Sequence, residues 1–418
     1  MLMGIIADDL TGASDIAGFV AGEGLDVIQF VGIPGDGGIA CDAAVVSLKS
    51  RSAPAPEAIR DSLAALDWLR RQGCPRFYFK YCSTFDSTPK GNIGPVADAM
   101  LDALGESLTV VCPSLPVNGR TVRDGILYVN GVPLSDTGMR NHPLTPMTDS
   151  NLLRLMEAQS RGRAGLLGVE TVERGPEAVR ECLSRMRGDG IRYAVLDAET
   201  DAHLEILGKA LADELLLTGG SGLGRAAARR LASLHSGIAG HVRRKGPASG
   251  NTVVFSGSCS EMTNRQTAAY RKLAPEFQVE AARCLENAAV YAEEGVAWVK
   301  AHSAGKYAPM ISATVPPDHL RAIQSRFGAG EAAAAVEGFF RQVAICLRQS
   351  GYVNFIVAGG ETAGAVSEAL GVRSFRIGPE IAPGVCWVEA VRGRLGLAMK
   401  SGNFGDESFF QKAQAMIR

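Results

Sequence analysis

The chain has no surplus of either charge. Its 418 residues include 43 Lys and Arg against 44 Asp and Glu, which gives a formal net charge of −1 at pH 7. Proteins that bind nucleic acids or acidic membrane surfaces usually carry an excess of basic residues. The balance argues against both kinds of partner, and it predicts that any anion is bound locally by a few side chains.

Paired cysteines and long apolar runs are also missing. The nine cysteines are scattered, with neither CxxC pairs nor histidines at zinc-finger spacing, which predicts a reducing, cytosolic compartment. No apolar run approaches the roughly 18 residues of a membrane span. Asp8 and Asp9 interrupt the first apolar run, so a signal peptide is not expected. We therefore expect a soluble cytoplasmic protein.

Short apolar runs alternate with helix-like segments along the whole chain, which is typical of an α/β protein. A chain of 418 residues exceeds the usual size of one domain, about 100 to 200 residues. We expect two domains, residues 1–240 and 251–418, each a mostly parallel sheet flanked by helices. The charged, Gly- and Pro-containing stretch 241–251 is the linker candidate.

The apolar runs predict the strands individually. In the first domain they are residues 2–7, 27–31, 43–48, 76–81, 108–112, 164–168, 191–197 and 214–217, with a hairpin at 118–131 and a loop at 141–148. In the second they are residues 252–255, 296–299, 310–313, 353–358, 374–377 and 386–391. Thr11 is the predicted N-cap of the first helix. A long helix at 331–349 is expected to bury Ala334, Phe339, Val343 and Leu347.

Polar residues follow the predicted strands of the first domain. Loops after parallel strands meet at one sheet edge, where ligands of such folds bind. This edge collects cations, carboxylates and hydroxyls, which suits a small polyhydroxylated anion. The candidates that bind it are Asp8, Asp9, Lys49, Arg51, Lys80, Tyr81, Cys82, Ser83, Thr84, Asp86, Ser87 and Thr88.

Structural roles remain open for several of these residues. Asp8 and Asp9 could be a helix cap and a surface charge, and Arg51 and Lys80 could form ordinary ion pairs. Cys82 is a packed thiol rather than a nucleophile on this pattern, since no histidine lies near it in sequence. The hydroxyl-rich run 80–92 is harder to explain structurally, because hydroxyls bury poorly without partners.

Three glycine and serine turns follow apolar runs of the second domain. They are "SGSCS" (256–260), "AGGETAGAV" (358–366) and "KSGNFG" (400–405). Glycines allow close backbone approach, and helix N-termini offer amides to phosphate oxygens. The turns indicate a nucleotide, although tight turns without a ligand remain an alternative. The chain has no GxGxxG, and "GGSGLGRA" (219–226) lacks the Lys and Ser/Thr of a P-loop.

A hydroxylated acid in one domain and phosphates in the other predict phosphoryl transfer from ATP across an interdomain cleft. This reaction needs in-line positioning, charge neutralisation by Mg²⁺ and cations, and a carboxylate that accepts the hydroxyl proton. Asp8 and Asp9 are the candidates for that carboxylate or for holding the metal. The metal ligands themselves are not predicted.

Six motifs in order resemble the four-carbon acid sugar kinase family. They are "ADDLTGASD" (7–15), "KYCSTFDSTPKGNIG" (80–94), "TGGSG" (218–222), "FSGSCS" (255–260), "GGETAGAV" (359–366) and "KSGNFG" (400–405). "CSTFDSTP", "PVNGRTV" and "HPLTPMTDSNL" resemble the 3-oxo-tetronate kinase branch rather than the D-threonate and D-erythronate kinases. The resemblance implies ATP-dependent phosphorylation of the terminal hydroxyl of 3-oxo-tetronate.

The resemblance also implies sites. Asp9, Arg51 and residues 80–83 match positions that hold the acid sugar, and Ser256, Ser258, Gly359, Gly360, Glu361, Thr362 and Gly402 lie in the motifs around ATP. Arg51 and Lys80 would pair with the substrate carboxylate, Arg51 bidentately. Many family members carry Asp where this chain has Glu361.

Rival functions are a D-threonate or D-erythronate 4-kinase, a metal-dependent sugar-acid phosphatase, and a sensor that binds sugar acid and nucleotide without turnover. A phosphatase would not need three phosphate-binding turns in a second domain. A homo-oligomer is possible on this sequence.

Overall fold

The computed structural model describes residues 1–35, 40–141, 145–235 and 246–417. The chain divides into two compact units, Met1–Val242 and Arg243–Arg418. Residues 241–245 of the predicted linker and residues 142–144 of the predicted loop lie outside the described residues.

The first unit contains a parallel sheet with helices on both faces. Its sheet strands are β1 (Met3–Ala7), β2 (Val27–Val31), β3 (Ala43–Ser47), β4 (Phe77–Lys80), β5 (Thr109–Cys112), β9 (Arg163–Leu167), β10 (Ile191–Leu196) and β11 (Leu216–Gly219). The helices are α1 (Leu10–Gly22), α2 (Ala55–Arg71), α3 (Ile93–Leu104), α4 (Leu152–Gln159), α5 (Val169–Glu173), α6 (Pro176–Gly188), α7 (Asp201–Ala210) and α8 (Ser221–Leu234). The strand order is β2-β3-β1-β4-β11-β5-β10-β9, so β1 lies inside the sheet. All of its residues are buried, as the apolar run predicts.

A small antiparallel sheet forms the predicted hairpin. It consists of β6 (Arg120–Arg123), β7 (Ile126–Val129) and the short β8 (Val132–Pro133). The turn between β6 and β7 is tied to the end of β10, because the buried Asp197 carboxylate accepts hydrogen bonds from the amides of Asp124 at 2.8 Å and Gly125 at 3.0 Å. Burial is the main reason that the pKa of Asp197 is raised.

The second unit contains a mixed sheet in the order β13-β14-β12-β15-β18-β17-β16. The strands are β12 (Asn251–Ser256), β13 (Glu276–Gln278), β14 (Met310–Ser312), β15 (Tyr352–Ala358), β16 (Ser374–Ala382), β17 (Val385–Ala390) and β18 (Gly396–Lys400). The helices are α9 (Glu261–Tyr270), α10 (Ala281–Ala301), α11 (Pro317–Phe327), α12 (Ala329–Gln349), α13 (Gly360–Ala369) and α14 (Phe409–Ala415). Five neighbouring strands, β13, β14, β12, β15 and β18, are parallel to one another. β17 is antiparallel to both of its neighbours, β18 and β16.

Four local expectations were wrong. Residues 296–299 lie in helix α10, where Val296 and Val299 face the interior as part of a helical stripe. Strands β13 and β18 were not predicted. β13 has only three residues and little apolar character. Ala334 is exposed and Ala332 is buried in its place on α12.

The fourth difference concerns the start of α1. Asp9, and not Thr11, is its N-cap: the Gly12 amide donates to Asp9 Oδ1 at 2.6 Å. The buried stripe of α1 is as predicted and comprises Ala13, Ile16, Ala17 and Val20. None of the helices in the described part of the chain combines the length and the apolar character that a bilayer crossing requires.

Candidate active site

Strand register brings three polar loops of the first unit together. Ala7, the last residue of β1, pairs with Ser47 at the end of β3 and with Lys80 at the end of β4. The loops after these strands therefore start at one level of the sheet. The strand order reverses at β1, because β2 and β3 lie on one side of it and β4 lies on the other, and ligands of open parallel sheets bind at such a point.

Arg51 binds both adjacent aspartates. Its Nε and Nη2 donate to the two carboxylate oxygens of Asp8 at 3.0 and 2.9 Å, and its Nη1 lies 2.8 Å from Asp9 Oδ2. Asp8 is 4% exposed, whereas about a quarter of the Asp9 side chain remains exposed. The two predicted catalytic carboxylates thus differ in burial: Asp8 is buried against Arg51, whereas Asp9 contacts Arg51 and the Gly12 amide and stays partly exposed.

The bidentate face of Arg51 is occupied by Asp8. Burial is the largest single influence on Arg51 and lowers its pKa, but the hydrogen bonds to Asp8 and the nearby charges of Asp8, Cys82 and Asp9 together outweigh burial, so the pKa of Arg51 is raised. Burial raises the pKa of Asp8, against the opposing effects of Arg51 and Lys80. The fork predicted for the substrate carboxylate is therefore bound to a protein carboxylate, and only the remaining N–H groups of Arg51 are left for a ligand.

Lys80 lies at the same place, at the N-terminus of α1. A Cβ atom at Gly12 would lie 2.6 Å from Asp9 Oδ1, 3.2 Å from Lys80 Nζ and 3.4 Å from Arg51 Nη2. The position requires glycine, because the three charged groups converge there. Lys80 is 3% exposed, and its hydrogen bond within the described residues goes to the Tyr81 carbonyl at 2.8 Å. Two of its N–H groups remain for an anionic ligand.

The loop after β4 is a tight turn. The Cys82 thiol lies 2.9 Å from the Thr84 hydroxyl, which donates to Asp86 Oδ1 at 2.6 Å. Burial raises the pKa of Cys82, so it is a packed thiol rather than a nucleophile at neutral pH. Phe85 adopts a φ of +49° in this turn and packs against Tyr81.

Two of the predicted sugar-binding residues in this loop differ in exposure. Tyr81 is fully buried, with its hydroxyl 3.0 Å from that of Thr218. Its side chain therefore packs in the interior, and its amide donates to the Gly219 carbonyl at 3.1 Å. Ser83 is only partly buried, and the structure assigns its hydroxyl no partner among the described residues.

Asn92 is a residue that the sequence reasoning missed. Its Nδ2 donates to the carbonyls of Ser50 at 2.7 Å and Ala53 at 2.9 Å. These bonds hold the loop that carries Arg51, together with the amides of Ser50 and Arg51, which donate to the Asp8 carbonyl. The sequence did offer a signal, because Asn92 ends the hydroxyl-rich run and directly precedes a helix. It could not indicate the partner of Asn92, since that loop lies about forty residues away.

The second unit repeats the arrangement with three other strands. Ala358 at the end of β15 pairs with Ser256 at the end of β12 and with Lys400 at the end of β18. The three predicted glycine and serine turns therefore begin side by side. Ser256 itself is fully buried, with its hydroxyl 3.0 Å from that of Thr267 and 2.6 Å from that of Thr314, so its side chain supports the turn from inside.

Close packing between these turns requires glycine at three positions. A Cβ at Gly257 would lie 2.0 Å from Thr362 Oγ1, and one at Gly402 would lie 2.7 Å from Ser258 Oγ. Gly359 has a φ of +127°, and its Cβ would lie 3.1 Å from the Ser258 amide. The turns after β12, β15 and β18 thus form one surface of backbone and hydroxyl groups.

Helix α13 begins on this surface without a side-chain cap. Its N-cap is Gly359, and its first residues are Gly360, Glu361 and Thr362, of which Glu361 is exposed and Thr362 is buried. The first amides of an uncapped helix are open donors and attract anions. This arrangement can bind phosphate groups.

Among the residues that the structure describes, no group of three or more His, Cys, Asp or Glu side chains could hold a metal ion.

Fold and site together define a class: a two-domain α/β protein with a charged cluster at the strand ends of one unit and three glycine and serine turns at the strand ends of the other. Residues 3–227 match the family of sugar-binding N-terminal domains, and residues 253–410 match the family of nucleotide-binding C-terminal domains. The chain belongs to the four-carbon acid sugar kinase family. The resemblance inferred from the six motifs is confirmed.

Relatives match over the full length. The chain is 54% identical to the 3-oxo-tetronate kinase of Brucella melitensis biotype 1, over 99% of this chain and 95% of the relative. It is 51% identical to that of Haemophilus influenzae, over 100% of both chains. Crystal structures of proteins from Haemophilus influenzae and Salmonella typhimurium LT2 superpose with TM-scores of 0.94 and 0.95 at 51% and 52% identity, over at least 99% of each chain. The predicted α/β fold class is confirmed.

The two aspartates should respond differently to loss of charge. Asp8→Asn removes a buried partner of Arg51, so the free energy of unfolding should fall by about 3 kcal/mol. Asp9→Asn should cost less than about 1 kcal/mol, because Asn also caps helices. Urea unfolding of both variants measures this, and equal losses would contradict the separation of their positions.

Gly257→Ala should displace Thr362, because the new methyl group would overlap its hydroxyl. We expect destabilisation by about 1 to 3 kcal/mol and weaker ATP binding. Gly364→Ala is the matched control in α13: a Cβ there meets nothing within 4 Å, so helix propensity should raise stability by up to about 1 kcal/mol. Thermal unfolding and ATP titration test the pair; if Gly257→Ala behaved like its control, the close packing of these turns would be refuted.

Proposed function

We propose that this protein is an ATP-dependent kinase that transfers a phosphoryl group to the C4 hydroxyl of 3-oxo-tetronate and forms 4-phospho-3-oxo-tetronate. The observation that carries the proposal is full-length identity of 50 to 54% to proteins named 3-oxo-tetronate kinase. The two clusters supply the chemistry that such a reaction needs. In this proposal residues 1–240 bind the acid sugar and residues 251–418 bind ATP.

The charged cluster suits a small hydroxy acid. Lys80 and the remaining N–H groups of Arg51 attract the carboxylate of the substrate. Asp9 is the partly exposed carboxylate beside them, so it accepts the proton of the attacking hydroxyl. The hydroxyl oxygen then bonds to the γ-phosphorus as the bond to the β-phosphate oxygen breaks, and ADP leaves. Asp8 positions Arg51 and does not touch the substrate.

The glycine and serine turns suit the triphosphate. The first amides of α13, with Thr362 and Ser258, donate to phosphate oxygens, and Gly402 allows close approach. Glu361 is exposed at the start of the helix. Mg²⁺ bound with ATP would be held mainly by the phosphate oxygens of the nucleotide and would neutralise part of their charge. A cytoplasmic location and a homo-oligomeric state stay predictions of the sequence.

The substrate assignment is tested by coupled ADP-release assays with 3-oxo-tetronate, D-threonate, D-erythronate and no acceptor. The proposal predicts that kcat/KM for 3-oxo-tetronate exceeds that for the other acids by at least about tenfold. A preference for threonate or erythronate would reassign the substrate, and phosphate release without ATP would favour a phosphatase.

Asp9→Asn should lower kcat by at least about a hundredfold, the scale expected when a general base is lost. Its KM values should change little, since Asn still caps helix α1 and has nearly the same side-chain shape as Asp. Steady-state kinetics measure the split. Near-normal turnover would remove Asp9 from the proton transfer, and Asp9→Ala would show whether the cap matters separately.

Arg51→Ala should chiefly raise the KM for the acid sugar, and Thr362→Ala should chiefly raise the KM for ATP, each by about tenfold or more. The reason is that each side chain belongs to a different ligand-binding cluster. Varying one substrate at saturating levels of the other measures both constants. If the two variants altered the same constant equally, the assignment of one ligand to each domain would be wrong.

A further inference from the structure

Lys400 is a buried cation beneath the nucleotide turns that the proposed reaction does not yet use. It is the last residue of β18 and is 2% exposed. Its Nζ donates to Thr263 Oγ1 at 3.0 Å, to the Ser401 carbonyl at 3.0 Å and to the Gly402 carbonyl at 2.7 Å. An ammonium group has three N–H donors, so all of them are used.

These hydrogen bonds determine the direction of the following turn. In a trans peptide the carbonyl of one residue and the amide of the next point in opposite directions. The carbonyls of Ser401 and Gly402 point inward to Lys400, so the amides of Gly402 and Asn403 point outward. Within the described residues, neither amide donates a hydrogen bond to the protein. Successive outward amides form an anion-binding concavity.

The same turn touches the other two phosphate-binding turns. The position of a Gly402 Cβ would be 2.7 Å from Ser258 Oγ and 2.8 Å from Ser260 Oγ. The hydroxyl of Thr263, on α9, donates to the Gly402 carbonyl at 2.7 Å. Lys400 therefore underlies the surface on which Ser258 and Gly359 lie.

No carboxylate within the described residues forms an ion pair with Lys400. Its acceptors are neutral, and the ring of Phe409 lies 6.0 Å from its Nζ. Burial lowers the pKa of Lys400 to about 8. A buried charge without a counter-charge is costly, and an anion bound on the outer side of the turn would relieve that cost.

We propose that Lys400 is a positioning residue for the nucleotide. Its ammonium orients the Gly402 and Asn403 amides toward a phosphate group of ATP, and this phosphate supplies the counter-charge that the buried ammonium lacks. The proposal rests on the assignment of ATP to the second unit. It concerns the phosphate chain and not the adenosine part of the ligand.

Titration calorimetry on the full chain tests the proposal without any sugar acid. Lys400→Met, which keeps an unbranched stem and removes the ammonium group, should weaken ATP binding by at least about tenfold and leave adenosine binding unchanged. The control Lys412→Met removes a half-exposed lysine that pairs with Asp406 and should bind ATP normally. Equal effects of Lys400→Met on ATP and adenosine, or none on ATP, would overturn the proposal.

Wild-type protein supplies a second test that does not depend on the variant folding. Phosphate binding favours the charged ammonium, so ATP affinity should be full well below the pKa of about 8 and about tenfold lower at pH 9 than at pH 7, while adenosine affinity stays constant. The other titratable side chains in or beside the turns include Cys259, Glu261, Glu361, Asp406, Glu407 and Lys412. Burial raises the pKa of Cys259, and hydrogen bonds from Lys412 and Ser408 lower that of Asp406.

A folded Lys400→Met variant should lose this pH dependence, which separates Lys400 from those groups. A pH-independent ATP affinity in the wild type would contradict the role of Lys400. Failure of the wild type to bind ATP at any pH would refute the nucleotide assignment as well. If the protein bound ATP but did not phosphorylate 3-oxo-tetronate, the proposed role of Lys400 would stand and only the proposed substrate would be refuted.

Discussion

The register of neighbouring parallel strands is the constraint on which both candidate sites depend. β1, β3 and β4 end at one level in the first unit, and β12, β15 and β18 end at one level in the second. Polar loops that are far apart in sequence therefore begin side by side. A slip of one residue in either sheet would turn every strand side chain to the opposite face and separate the groups that follow.

Both units end a central strand with a buried lysine, but the surroundings differ. Lys80 shares its loop edge with Asp8, Asp9 and Arg51, so the cluster carries carboxylates that can hold hydroxyls and accept a proton. Lys400 faces carbonyls and a hydroxyl, so its positive charge remains for an anion. In the proposed function, these similar strand ends bind a sugar acid in one unit and phosphates in the other.

Much of the fold could be read from the sequence, because apolar runs between polar turns mark buried strands. Residues 296–299 were wrongly predicted as a strand, because a short apolar run also fits one face of a helix such as α10. The sequence identified the polar loops that follow neighbouring strands, but it did not identify the side-chain contacts within and between those loops. The bidentate pairing of Arg51 with Asp8 joins residues 43 positions apart, and Asn92 acts on a loop about 40 positions away. Such contacts depend on tertiary packing that no local pattern encodes.

Identification of the product tests the central claim most directly. Phosphorus NMR of a reaction containing the protein, ATP, Mg²⁺ and 3-oxo-tetronate distinguishes a sugar phosphomonoester from inorganic phosphate. The account predicts one phosphomonoester at C4 and an equal amount of ADP. Inorganic phosphate in place of the ester, or an ester at another hydroxyl, would contradict it.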